Sequence, residues 1–318
     1  MFYARADVLG GWIFFPQFPH HVREQEIEPI VIITMTTDVP KTDPDQYGQV
    51  HPIESHDLIA SKLKDLEKEL SKSELQSPGY QGARTHCPEQ LTNDFKLQFL
   101  RCEQFQVDLA AKRIMKYWDK RVEIFGQDLA YLPMTLKGAL KDDRKALEAG
   151  FVRLLPGIKE PGGRSILYAD PSRYAPKKER ITTVRALWYV MHAALEDVET
   201  QQKGVVIIAD PRKAKMSQTD TKLDKLNVES IRGCLPVRVA AMHLCHMPAF
   251  FALIFPIIKV FLGERLRQRI KLHNGSVSHV MERLSTFGLT SEMLPNQLGG
   301  NFLLDHERWL ADRERGGM

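Results

Sequence analysis

Residues 247–262, MPAFFALIFPIIKVFL, hold one cation, Lys259, and otherwise put apolar residues on every side of a helix. Such a helix is either buried all round or meets lipid. It falls short of the ~20 apolar residues a membrane span needs, and Pro256 interrupts it. The next residues, GERLRQRIKLH, place Arg265, Arg267, Arg269, Lys271 and His273 directly beyond it. An apolar helix beside a basic cluster suits a surface that dips into acyl chains while its cations meet anionic headgroups, each cation contributing ~1 kcal/mol near the membrane. A core helix followed by a solvated basic turn accounts for the same residues, so the rest of the chain must decide.

Hydrophobic residues make up 43% and charged residues 26% of the 318, the usage of a soluble globular protein that buries a core without staples. Basic residues outnumber acidic ones by only 44 to 40, which excludes a general nucleic-acid binder and leaves any electrostatic role local. Cys87, Cys102, Cys234 and Cys245 lack CxxC spacing and read as reduced thiols of a cytosolic protein. VLGGWIFFPQF at 8–18 has neither a basic flank nor a cleavage site and fails as a secretory signal. Met35 opens a polar stretch like a natural start, so residues 1–34 read as an upstream extension. With Pro40, Pro44, Gly48 and Pro52 making 36–56 a linker or a tail ordered on contact, residues 1–56 form a poorly ordered extension.

From Asp57, the spacing of Ile59, Leu63, Leu66 and Leu70 predicts an amphipathic helix. FKLQFLRCEQF, capped by Asn93 or Asp94, and DLAAKRIMKYWDKRVEIFG, stopped by Gly126, complete a helical module over 57–126. Signals between 127 and 163 are weak, and that stretch reads as a connector. ILYA at 166–169 is a strand, and Val184, Leu187, Met191, Leu195 and Val198 mark a helix with one continuously apolar side. GVVIIAD at 204–210 and VRVAAMHLCH at 237–246 are strands of a parallel sheet, joined by a helix through Leu223, Leu226 and Ile231. RIKLH at 269–273 is a short strand and SHVMERLSTF at 278–287 a helix. Helices first and then alternating strands and helices make the fold class α/β.

No GxGxxG follows a strand, and GxxxxGK[ST], GxSxG and HExxH are absent, so nucleotide, hydrolase and zinc-protease readings lack their working parts. His243 and His246, near Cys245, read as packed or hydrogen-bonded side chains. No catalytic residue, cofactor or metal site is expected.

LQFLRCEQFQVDLAAKRIMKYWDKRVEIFG, VETQQKGVVIIAD, LPVRVAAMHLCHMPAFFALIFPIIKVFLGERLRQRIKLHNG and LPNQLGG together resemble the Sec14-like, CRAL-TRIO lipid-transfer family, nearest its α-tocopherol transfer and retinaldehyde-binding members. The resemblance covers about residues 57–300. It implies a lipid-binding domain over 164–303 with a mostly parallel sheet floor, flanking helices and a C-terminal tail from 304 to 318. A gate helix at about Ala249 to Leu262 would roof a hydrophobic pocket and swing at the membrane, with Phe250, Phe251, Ile254, Ile257, Ile258 and Phe261 as its working face. Matching positions imply pocket-lining roles for Leu187, Met191, Val205, Ile207, Val239 and Met242. They imply a phosphoinositide-binding patch of Arg101, Arg238, Arg265 and Arg269. Val237 stands where yeast-type phosphatidylinositol exchangers have Glu, and Gln98 where they have Arg, which argues against phosphatidylinositol inside the pocket. The implied function is binding one hydrophobic lipid and transferring it between membranes, in the cytoplasm with transient membrane contact and without covalent chemistry. The alternative is a lipid-sensing module that acts on a protein partner.

Overall fold

The first helices form because apolar residues recur at helical spacing and because two of them start on residues whose side chains cap them. The computed structural model describes residues 39–73, 76–174 and 177–318, so the run at 8–18 and the expected extension 1–34 lie outside the described residues. Helices α1 (His56–Ser73), α2 (Pro78–His86), α3 (Asn93–Cys102) and α4 (Val107–Phe125) make up the N-terminal helical part. Ser77 caps α2 by accepting from the Tyr80 amide. Thr92, one residue before the expected caps, accepts from the Phe95 amide at the start of α3. α4 buries Ile114, Trp118 and Phe125 and ends at Gly126, whose φ of 73° suits glycine.

The stretch expected as a connector at 127–163 instead carries the short helices α5 (Gln127–Ala130) and α6 (Arg144–Ala149) and an edge strand, β1 (Val152–Lys159). Pro156 and Gly157 sit inside β1, and its register slips between Leu154 and Lys159, which removed the alternation a sequence reader looks for. After β1 come β2 (Ser165–Ala169), α7 (Arg180–Ala194), α8 (Val198–Lys203), β3 (Val205–Ala209), α9 (Thr221–Gly233), β4 (Val239–Cys245), α10 (Phe251–Gln268), β5 (Ile270–His273), α11 (Val277–Ser285) and α12 (His306–Arg315). The sheet runs in the order β1-β2-β3-β4-β5, with β1 antiparallel to β2 and all other neighbours parallel.

Alternation along the strands divides two cores. Val205 and Ile207 of β3 face the helices, while Val206 and Ile208 face a second cluster with Val280, Leu284, Leu289 and Leu298. A register shift between β3 and β4, where Val205 pairs with Val239 but Val206 with Ala241, inserts one residue. It lets Val239 and Met242 share the helix-facing side despite their odd spacing.

Two expectations about the ends need correction. From Val39 onward the extension is not loose: Lys41 bridges to Pro52, Tyr47 stacks on Phe287 at 6.0 Å, and His51 is buried. Asp45 pairs with His51 at 2.8 Å and with Arg164, which also holds Glu160 at 2.9 Å. A stretch of Pro, Asp and Gln has no hydrophobic period, yet its polar groups are matched by buried partners. Nor is 304–318 a mere tail, since α12 buries Trp309 and Leu310 and its Arg313 donates to the Tyr189 hydroxyl at 2.9 Å.

His243 lies fully buried on the second face, its Nδ1 2.9 Å from Nε2 of His273 and its ring edge-on to Phe287. Burial, with His273 and Lys271 adding to it, holds His243 at about 3. A histidine kept neutral inside binds fewer protons folded than unfolded. Its contribution is therefore whole above pH 6.5 and falls as pH drops from there toward its folded value, by about 1.4 kcal/mol per unit. The stability lost between pH 6.5 and 5 is expected to be smaller by about 2 kcal/mol in His243→Gln than in the natural chain. Urea unfolding at both pH values checks this, and equal losses would contradict it.

Candidate functional site

On the helix-facing side of the sheet, β-branched and small residues leave a surface that α7, α9 and α10 surround without filling. The result is a cavity of about 210 Å³. Its floor comes from Ala169, Ile207, Ala209, Met242, Leu244 and Ile270, its wall from Leu187 and Met191 of α7. Leu187 and Met191 are one turn apart, so a single face of α7 supplies both.

The structure brings together four of the six residues matched to the pocket: Leu187, Met191, Ile207 and Met242. Val205 and Val239 are buried on the same side of the sheet but pack into the core beyond the cavity. Of the six roof residues, Phe250, Phe251, Ile254 and Ile258 line the cavity. Ile257 points away and is 47% exposed, and Phe261 lies against the core beneath Lys225, whose Nζ is 6.0 Å from its ring centre.

α10 is thus apolar on both sides. Ile254, Leu262 and Leu266 are buried, whereas Leu253 is 69% and Val260 76% exposed. The helix continues through Pro256 and is broken instead at Gly263, whose φ of 66° and ψ of 162° belong to a region essentially reserved for glycine. Arg232 of α9 donates to the Phe261 carbonyl at 2.9 Å, beside this break.

One end of the cavity is polar, and the sequence reading missed it. Tyr174, Asp220, Asp224 and Asn227 line it. Asp220 caps α9 and pairs with Arg180 at 2.8 Å. The Tyr174 hydroxyl donates to Asp224 at 3.2 Å, and burial pushes the Asp224 carboxyl up to about 6. A signal was present: Asn227 occupies the same helical stripe as Leu223 and Ile231, four residues from each, where an apolar residue is expected.

A second, basic cleft of about 630 Å³ opens behind the end of α10. Arg238, Arg265 and Arg269 line it, together with Arg113 and Arg232; Ile231, Leu262 and Leu266 are common to its wall and that of the apolar cavity. Arg238 lies 3.0 Å from His51 and Arg269 donates to the Val239 carbonyl. Burial and neighbouring guanidinium groups depress the proton affinity of both arginines, while Glu103, which pairs with Arg113, and Glu264 also line the cleft. Arg101, the fourth expected member, does not line it. Its guanidinium is held in a two-pronged pair with Glu54, at 2.9 and 2.7 Å, and donates to Gln201 at 2.6 Å. Among the described residues, no group of three or more His, Cys, Asp or Glu side chains is placed to hold a metal, and no helix is long and apolar enough to cross a membrane.

The family described as CRAL/TRIO domain matches residues 153–300. An "Alpha-tocopherol transfer protein-like" protein of Mus musculus is 28% identical over 298 residues, covering 89% of this chain and 81% of its own length. The Homo sapiens protein of that name is 30% identical over 230 residues, 70% of this chain and 62% of its own length, so this chain spans less than two thirds of it. "Clavesin-2" of Rattus norvegicus is 27% identical over 234 residues, 67% of this chain and 66% of its own length. The crystal structure of Sfh5 superposes with a TM-score of 0.50 at 12% identity, over 83% of this chain and 99% of that one, a likeness of fold.

Gly263→Ala is expected to lower stability by about 2 kcal/mol because its backbone angles suit only glycine. Gly233→Ala, at the end of α9 with open space around the new Cβ, is expected to leave stability unchanged or raise it by up to ~1 kcal/mol. Urea unfolding of the two variants decides, and equal effects would contradict the strain at Gly263.

Proposed function

Because the chain belongs to the Sec14-like CRAL-TRIO family, we propose that it binds one hydrophobic lipid in the cavity beneath α10 and carries it between membranes without covalent chemistry. The observation that carries this reading is the two-sided apolarity of α10. A helix that serves only as a core element has no use for Leu253, Ile257 and Val260 on its outer side, whereas a gate that must leave the cavity and enter acyl chains needs both faces apolar.

The size of the cavity favours a moving roof. Pockets for small molecules usually span ~300–1,000 Å³, more than the 210 Å³ enclosed here, so a whole lipid requires α10 to shift outward. The break at Gly263 offers a hinge, because the roof can turn there without uncoiling Arg265–Gln268. A buried lipid tail of ~15 methylenes gains ~12 kcal/mol over water, which drives near-complete enclosure.

The basic cleft beside the hinge would dock the protein on an anionic, phosphoinositide-bearing membrane through Arg238, Arg265 and Arg269. Attraction of ~1 kcal/mol per cation is enough to hold the protein while α10 opens, and weak enough for release. Arg101 serves the fold instead. The setting for this work is the cytoplasm with transient membrane contact.

Transfer of a fluorescent lipid between liposomes tests the carrier reading: accelerated transfer is expected, and a rate equal to spontaneous exchange for retinoid, sterol, tocopherol and phospholipid probes would refute it. Arg265→Glu with Arg269→Glu is expected to weaken binding to phosphoinositide-bearing vesicles by about 30-fold or more, the loss of two near-surface charges at ~1 kcal/mol each. Unchanged sedimentation with those vesicles would remove the docking role. Arg101→Ala is expected to lower stability by about 3 kcal/mol, since it strands Glu54, and to leave vesicle binding of the folded protein intact.

A further inference from the structure

His51 sits where the strap from Val39 meets the basic cleft, and its two ring nitrogens have different neighbours. It is 6% exposed. Nε2 lies 2.8 Å from Oδ2 of Asp45, and Nδ1 lies 3.0 Å from a terminal nitrogen of Arg238. A guanidinium only donates, so Nδ1 is bare where it accepts from Arg238, and the ring proton is on Nε2, donating to Asp45. These partners assign a neutral ring. Around it stand Asp45 on its own strap, Arg164 from the turn between β1 and β2, and Arg238 from the approach to β4. Arg164 is itself held by Asp45 and Glu160. Burial above all, with Arg238 and Arg164 adding to it against the pull of Asp45, holds His51 below its ordinary value.

The same strap borders the cleft. Gly48, Gln49 and Val50 line it beside Arg238 and Arg269. Two side-chain amides fasten this edge: Gln49 donates to the Ala240 carbonyl at 2.8 Å and Gln104 to the Val50 carbonyl at 3.1 Å. Arg238 has given one nitrogen to His51, and its Nε is buried without a hydrogen-bond partner. A second proton on His51 can go only to Nδ1. It would set two donors 3.0 Å apart with a positive charge behind each, so the contact with Arg238 breaks while Nε2 stays on Asp45.

We propose that His51 positions Arg238 and couples anion binding in the cleft to uptake of a proton: protonation of Nδ1 releases Arg238 from the strap to the anion, and the anion offsets the charge that His51 gains. The proposal rests on the docking reading above and adds its regulation. Because such coupling is reciprocal, the cleft holds an anion more tightly as pH falls, and an anion in the cleft raises the proton affinity of His51. An anionic leaflet at about −30 mV concentrates protons on the order of threefold at its surface, so the membrane itself favours the binding state.

The test uses the full chain and inositol hexasulfate, whose sulfate groups stay ionised throughout the range, so that a change with pH belongs to the protein. Isothermal titration calorimetry is expected to give about fivefold tighter binding at pH 5.5 than at pH 7.5. Glu103 and Glu264 also line the cleft, so the natural chain is compared with His51→Asn, whose amide oxygen can still accept from Arg238 but takes up no proton. There the affinity is expected to change by at most about twofold. Equal affinity at the two pH values in the natural chain, or the same rise in His51→Asn, would overturn the coupling while leaving docking standing. Should the variant fail to fold, the NMR titration of the His51 ring in the natural chain decides. Saturating inositol hexasulfate is expected to raise its midpoint by about one pH unit or more, and an unmoved midpoint would overturn the coupling. Failure of the probe to bind at either pH would overturn the docking reading and the coupling with it.

Discussion

The packing of Ile254, Ile258, Leu262 and Leu266 of α10 over the helix-facing side of the sheet is the contact on which the rest of the molecule depends. It closes the cavity without filling it. Close-packed interiors lose stability when they hold voids, so a chamber retained under a roof has a cost that a ligand can offset. The roof must also be separable, and its apolar outer side gives the departing helix an apolar surface to meet.

Around this roof the polar groups are arranged to keep everything else still. Arg164 ties the stretch near Asp45 to Glu160, Arg101 ties Glu54 to Gln201, and Arg313 ties α12 to Tyr189 and Glu196. Each guanidinium is buried and each joins segments far apart in sequence. Buried pairs of this kind add little net stability against apolar packing, but their geometry allows few alternative partners. The scaffold that they fasten contrasts with α10, whose exposed residues have no such ties.

Much of this was legible in the sequence. The β-branched run at 204–210 located β3, because a strand buried on both faces leaves a continuous apolar trace. The spacing of Leu187 and Met191 gave only an inward face, and their place on a cavity wall came from the family resemblance. The helix that this spacing carried on to Val198 ends at Ala194 and is buried on nearly every side. The apolar run at 247–262 marked a helix that is buried or meets lipid, and only the family resemblance made it a roof. β1 escaped because Pro156, Gly157 and a slipped register erase alternation. The strap from Val39 escaped because it is held by polar pairs, which have no period. Arg101 was grouped with the other arginines by motif position alone. Only three dimensions reveal that Glu54 and Gln201 occupy its donors while Arg238, Arg265 and Arg269 converge. Asn227 was visible as an interruption of an apolar stripe, and its meaning depended on knowing that the stripe faces a cavity.

The central claim is that the space beneath α10 holds one lipid. The most direct measurement is native mass spectrometry of the intact protein purified without detergent, before and after extraction with organic solvent. A single adduct of lipid mass, one per chain, that disappears on extraction and is recovered in the solvent is the expected result. A spectrum showing only the polypeptide mass, from protein purified out of a lipid-replete source, would contradict it.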